Sequence, residues 1–198
     1  MEKLPRINPL YWDNAVLLHA ERIDHLRELE VRHPAYGNGE ALLHHLRDEY
    51  DNFTASWYGY VPEDKEAAEC VEVCVTWYQA MAIIVLDLVK TYGHSPTPTA
   101  ESVYPLLRSK QEDYGYDNIH RFGRDGVLVR MHDKIARLEN LAKHRDQTDA
   151  DHPNHETIDD TLRDLIGYCL IGCLVEEDNW VLDLTPSPLS LPSPPTPA

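Results

Sequence analysis

The chain has 198 residues, 42% of them hydrophobic, enough for one domain with a core, alone or with appendages. Its formal charge of −16 repels a nucleic-acid backbone, which excludes direct DNA or RNA binding unless the 18 Lys and Arg cluster. A phosphate-bearing small molecule meets the same repulsion, and a bound cation would remove it.

The opening stretch, MEKLPRINPLYWDN, has no apolar run of signal-peptide type. From Asn14 to Arg32 the charged, Leu-rich pattern predicts a surface helix, stopped by His33-Pro34 and the Gly37-Asn38-Gly39 turn. A second helix is expected from Glu40 to Tyr58, where Leu46, Tyr50, Phe53 and Trp57 form one apolar stripe. Pro62, Glu63 and Asp64 mark the start of a third, running to Tyr92. Its β-branched stretch from Val71 to Trp77 also fits a strand, but the length of the segment favours a helix. The uncharged run from Val73 to Leu86 is 14 residues long and suits a buried helix better than a membrane span, which needs about 20. Cys70, Cys74, Cys169 and Cys173 lie one helical turn apart in pairs within apolar runs and lack zinc-finger spacing. They read as reduced, buried thiols of a cytoplasmic protein.

After the HSPTPT linker, Glu101 to Lys110 predicts a short helix. The segments YGYDN and FGRDG read as loop because of Gly115, Gly123 and Gly126. Val127 to His144 is amphipathic, with Met131, Ile135, Leu138 and Ala142 on its apolar stripe. Arg145 to His155 is polar loop, and Glu156 to Glu177 is the last helix. The Pro-rich residues after Asp183 lack regular apolar spacing and read as a disordered tail, dispensable for folding. The expected architecture is all-α, an antiparallel helix bundle. It divides into an N-terminal helical region (1–98), a second helical domain (99–182) and the tail (183–198).

Glu156, Asp160 and Asp164 advance by about 40° each on a helix and share one face. Further along, Ile171 and Leu174 continue that face, so the acid stripe runs into buried surface. An acidic first turn favoured by the helix dipole explains Glu156 and Asp160 but not Asp164. On the preceding helix, Asp133, Arg137, Asn140 and His144 form a polar face that an antiparallel pairing would bring opposite the acids. The loop before it offers Lys110, Arg121 and Arg124 among glycines and tyrosines, suited to phosphates and to stacking a base. Two further features are weaker. Asp48/Asp51 and Glu69/Glu72 are i, i+3 acid pairs that read as solvated faces. His132-Asp133 is an HD dipeptide of the kind that arises readily by chance.

The string KQEDYG through VRMHDKIARLENL, followed by ETIDDTLRDLIGY, resembles the phage-associated nucleotide modification-associated domain type 1 family. The resemblance covers roughly residues 105 to 175, through Lys110, Asp113, Tyr114, Asn118, Arg130, Asp133, Lys134, Arg137, Asn140, Glu156, Asp160 and Asp164 among others. It implies a role in phage nucleotide metabolism in the host cytoplasm. The helix pairs are also similar to all-α nucleoside triphosphate pyrophosphohydrolases of the MazG type. Positions 1–98 then read as a degenerate copy of the same helical unit.

The resulting expectation is a Mg²⁺- or Mn²⁺-dependent hydrolase of (deoxy)nucleotides. Glu156, Asp160 and Asp164 would hold the metal, and Asp133, Lys134 and Arg137 would do the chemistry. Lys110, Asp113, Tyr114, Asn118, Arg130 and Asn140 would bind substrate. The protein would be a homo-oligomer, away from membranes. The alternative is a non-catalytic acidic protein that sequesters a nucleotide or blocks a host protein.

Overall fold

The structure, a computed structural model, describes residues 9–29, 38–59, 67–92, 99–115, 117–143, 157–177 and 180. The chain is all-α, and no strand occurs among the described residues. The helices are α1 (Pro9–Leu29), α2 (Gly39–Gly59), α3 (Ala67–Tyr92), α4 (Tyr104–Tyr114), α5 (Asp117–His120), α6 (Gly123–Lys143) and α7 (Ile158–Glu176). A 3-10 turn, Glu101–Val103, leads into α4. The stretch from Val71 to Trp77 is helical, as its length suggested. Glu156, His144 and the Pro-rich tail lie outside the described residues.

Three expectations are corrected. α1 begins at Pro9, five residues before the expected Asn14. YGYDN is mostly helical rather than loop: Tyr114 ends α4, and Asp117 and Asn118 open α5. FGRDG is not a loop: α6 begins at Gly123, four residues before the expected start. Gly123 has φ +53°, a left-handed conformation that glycine adopts without a Cβ clash, so it can turn the chain directly into a helix. Gly126, read as a loop signal, lies inside the helix, and its N–H donates to the Phe122 carbonyl at 3.3 Å.

The bundle is organised around α7. Its charged first turn gives way to a segment that is apolar on every side, and Leu162, Leu165, Ile166, Cys169, Leu170, Cys173 and Leu174 are all buried. A helix with no polar face must be enclosed, and α3 and α6 pack on it most extensively. Both run antiparallel to it. Gly172 lies on Tyr78 while Val89 lies near Ile166, and Arg124 meets Glu176 while Lys134 meets Asp164. Each large side chain so buried contributes roughly 1.5–3 kcal/mol. By length and composition, Cys70–Tyr92 of α3 could cross a membrane, and in the bundle its apolar surface is largely buried.

The next layer is tied on by charge and aromatic contacts. Arg47 of α2 donates to both carboxylate oxygens of Glu139 on α6, at 2.8 and 2.9 Å. Phe53 of α2 packs on Trp77 and Tyr78 of α3. Trp12 of α1 meets Trp180 edge to face at 6.0 Å, so α1 packs against a residue that follows α7. Buried residues from either side of position 98 belong to one continuous core.

The cysteines are free, with Cys70 half-buried and the other three buried. Burial pushes the Cys74 thiol up to about 11, and it raises Cys169 and Cys173 well above the ordinary thiol range. Thiols so protonated are poor nucleophiles and metal ligands, and they act here as small core residues.

Candidate functional site

The site is built where α4 and α6 lie across the first turns of α7. The entry to α4 is fixed from α1. Asp24 accepts from the backbone N–H of Ala100 at 2.8 Å and of Glu101 at 3.3 Å, holding the 3-10 turn. Val103 and Leu107 then rest over Gly167 of α7. A Cβ at that position would make ordinary contact, 3.7 Å from Leu107 and 3.9 Å from Val103.

Asp164 lies one turn before Gly167. Its Oδ1 is paired with Lys110 of α4, and its Oδ2 stands 2.8 Å from the Lys134 ammonium of α6. The carboxylate is 9% exposed, the two lysines 39% and 19%. These three residues stand 54, 30 and 24 positions apart in sequence, and only the three-helix packing brings them together.

Around this triad opens a cavity of about 340 Å³. Val103, Leu107, Ile119, Gly167 and Ile171 supply its apolar lining. Tyr114, 70% exposed, and the half-buried Tyr168 supply aromatic surface. Gln111 is buried, and its Oε1 has no hydrogen-bond partner among the described residues. Arg130 of α6 and Arg163 of α7 complete the charged set. The lining therefore carries four cations and one carboxylate, formally +3, in a chain whose net charge is −16. Among the described residues neither Arg130 nor Arg163 has an ion-pair partner.

Of the residues singled out in the sequence, the cavity brings together Lys110, Tyr114, Arg130, Lys134 and Asp164. It does not include Asp113, Asp133, Arg137 or Asn140. Asp113, Asp133 and Asn140 are exposed, and Arg137 is half-buried on α6. Nothing is described of the Asn118 side chain. His132 of the HD dipeptide turns to α2, 3.3 Å from Arg47 and packed on Tyr50. Sequence reasoning missed Arg163 and Gln111. Arg163 was legible as a lone cation beside Asp164 in an acid-rich segment. Gln111 carries no signal of its own.

Asp160 serves its own helix end. Thr157 is the N-cap, and its hydroxyl accepts from the Asp160 N–H at 3.1 Å. The Asp160 carboxylate accepts in return from the Thr157 hydroxyl at 2.8 Å and its N–H at 3.2 Å, a complete capping box. Those hydrogen bonds hold the Asp160 carboxyl below its ordinary value of 3.8. It faces a neighbouring cavity of about 400 Å³, with Ser102 and Val89, on the far side of Arg163.

Without Glu156, which lies outside the described residues, the described donors around Asp164 do not by themselves fit a divalent cation. Mg²⁺ needs oxygen ligands in near-octahedral array. Among the described residues no three His, Cys, Asp or Glu side chains gather into a metal-binding group. At Asp164 a dication would stand beside two ammonium groups. Each contact would cost about 8 kcal/mol at 4 Å in an effective dielectric near 20, twice the value for unit charges. What the arrangement can do is attract an anion into a half-apolar, aromatic-edged cleft.

No protein-family model matches the chain, and no curated protein or solved structure matches it.

Proposed function

We propose that the chain binds a nucleotide in the cleft between α4, α6 and α7, with the phosphate on Lys110, Arg130, Lys134 and Arg163. The observation that carries this reading is the concentration of positive charge in one cavity of an otherwise strongly acidic protein. Arginine and lysine are the side chains that recognise phosphate, arginine through its planar fork of donors. Tyr114 and Tyr168 offer rings against which a base can stack. The cavity volume sits at the low end of the roughly 300–1,000 Å³ of small-molecule sites. The resemblance to the nucleotide modification-associated family supports a nucleotide rather than another phosphate ester. The described residues favour binding over hydrolysis, because Asp164, the one carboxylate in the lining, is already engaged by two lysines.

The test is isothermal calorimetry with a panel of nucleoside mono-, di- and triphosphates. At least one should bind. The double variant Lys110→Gln/Arg130→Gln should weaken it by about a hundredfold, roughly 1.4 kcal/mol for each charge-assisted contact. Binding by no member of the panel, or an unaltered affinity in the double variant, would remove the assignment.

A further inference from the structure

The balance of charge inside the cleft defines its ligand more narrowly. Lys110 and Lys134 are shared with Asp164, whereas Arg130 and Arg163 have no ion-pair partner among the described residues. Two guanidinium groups that make no ion pair among the described residues match one phosphate monoester, which carries a charge of about −1.5 to −2 at neutral pH. A triphosphate would bring more negative charge than a lining of formal charge +3 can offset, and it would set that charge against Asp164. The carboxylate itself stands between the two ammonium groups, where a phosphate oxygen would otherwise be held. Its side chain is 9% exposed, so it is shielded from bulk water while keeping the lysines gathered at the cleft.

We infer that the cleft is a metal-independent phosphomonoester site in which Asp164 is an internal anion, competing with the ligand for Lys110 and Lys134. This rests on the reading of the cleft as a nucleotide site, and it adds the ligand class and the sign of the Asp164 effect. A metal ligand and an internal competitor respond oppositely to the loss of their charge. If Asp164 held Mg²⁺, Asp164→Asn would abolish binding. As a competitor, its removal frees two cations and takes away one repulsion, so binding tightens.

The experiment is calorimetry of the full chain with inorganic phosphate, thymidine monophosphate and thymidine triphosphate, each in EDTA and again in Mg²⁺. The expected result is monophosphate binding in EDTA, no gain from Mg²⁺, and a triphosphate no tighter than the monophosphate. Asp164→Asn should bind the monophosphate about tenfold tighter. Inorganic phosphate binding as tightly as thymidine monophosphate would overturn the monoester and nucleotide readings together, leaving a site for the bare anion. Binding that requires Mg²⁺ and is lost in Asp164→Asn overturns the inference while leaving nucleotide binding intact. Silence from every phosphate under both conditions overturns both. Should Asp164→Asn fail to fold, Arg163→Gln on the exposed side of α7 serves instead. It should weaken the monophosphate about tenfold in EDTA, and unchanged affinity would overturn the inference.

Discussion

The carboxylate of Asp160 is taken up by the end of its own helix, and that separates it from the cleft. Its partner Thr157 provides a clean test, because the hydroxyl caps α7 and lies outside the cavity lining. Thr157→Ala should lower stability by about 1 kcal/mol, a melting shift of about 2–4 °C, and leave phosphate titrations unchanged. A loss of phosphate binding in that variant would put the helix end back into the site. The depressed Asp160 carboxyl adds an acid limb. A group whose folded pKa lies below its unfolded value gives stability that is present above about 3.8 and lost as pH falls toward the folded value. His19 adds a titration closer to neutral pH. Burial to 2% exposure disfavours the imidazolium, while Glu177, 3.1 Å from Nε2, favours it. Burial is the larger influence, and the pKa lies below 6.5. The unfolded chain therefore takes up the proton first. Stability should be full above 6.5 and decline as pH drops below it. Melting curves between pH 7.5 and about 5.5 should slope downward in the wild type and flatten in His19→Gln. A parallel slope in both proteins would show that His19 is not the group responsible.

At the scale of the helix, the sequence was most informative where apolar periodicity was strong. The stripe through Leu46, Tyr50 and Phe53 is buried as its spacing implied, and so are Met131, Ile135 and Leu138. Ile171 and Leu174, which continue the acid face, are buried as the stripe's run into apolar residues implied. What failed was punctuation. Gly123 and Gly126 look alike in the sequence, yet one supplies a left-handed entry and the other an ordinary helical residue. Gly172 shows what a helical glycine can be for. A Cβ there would stand 2.4–2.6 Å from the Tyr78 ring, closer than carbon atoms tolerate. The ring is fully buried and cannot swing away, so α3 and α7 would have to separate. Gly172→Ala should cost about 1–3 kcal/mol by overpacking, despite the better helix propensity of alanine, as read by urea denaturation. A more stable Gly172→Ala protein would mean that the α3–α7 contact is looser than the geometry describes.

Across the whole molecule, the sign of the net charge is legible in the composition, but its arrangement is not. Lys110, Arg130, Lys134 and Arg163 are scattered over three helices, and no window of sequence contains them all. Their convergence depends on Val103 and Leu107 resting over α7 and on α6 running antiparallel to it, which are facts of packing. The acid stripe was legible as a stripe. Its division between a cap at Asp160 and a lysine-bound Asp164 was not, because the partners of Asp164 come from distant segments.

The same arrangement makes salt act on the protein in two opposite senses. A net charge of −16 repels itself in the folded state, and ions screen that repulsion, with a Debye length of about 10 Å at 0.1 M and 3 Å at 1 M. Raising NaCl from about 0.02 M to about 0.5 M should therefore raise the melting temperature. The cleft is a local reversal of sign, so chloride and screening should weaken its attraction for a phosphate over the same range. A surface acting only through diffuse negative charge would gain stability with salt and have no phosphate affinity to lose. Melting curves and monophosphate titrations on one salt series measure both slopes. Rising stability with falling affinity is the expected pair. If affinity instead rose with salt, the ligand would be meeting the protein's overall negative field rather than the four cations, and the cleft would lose its assignment.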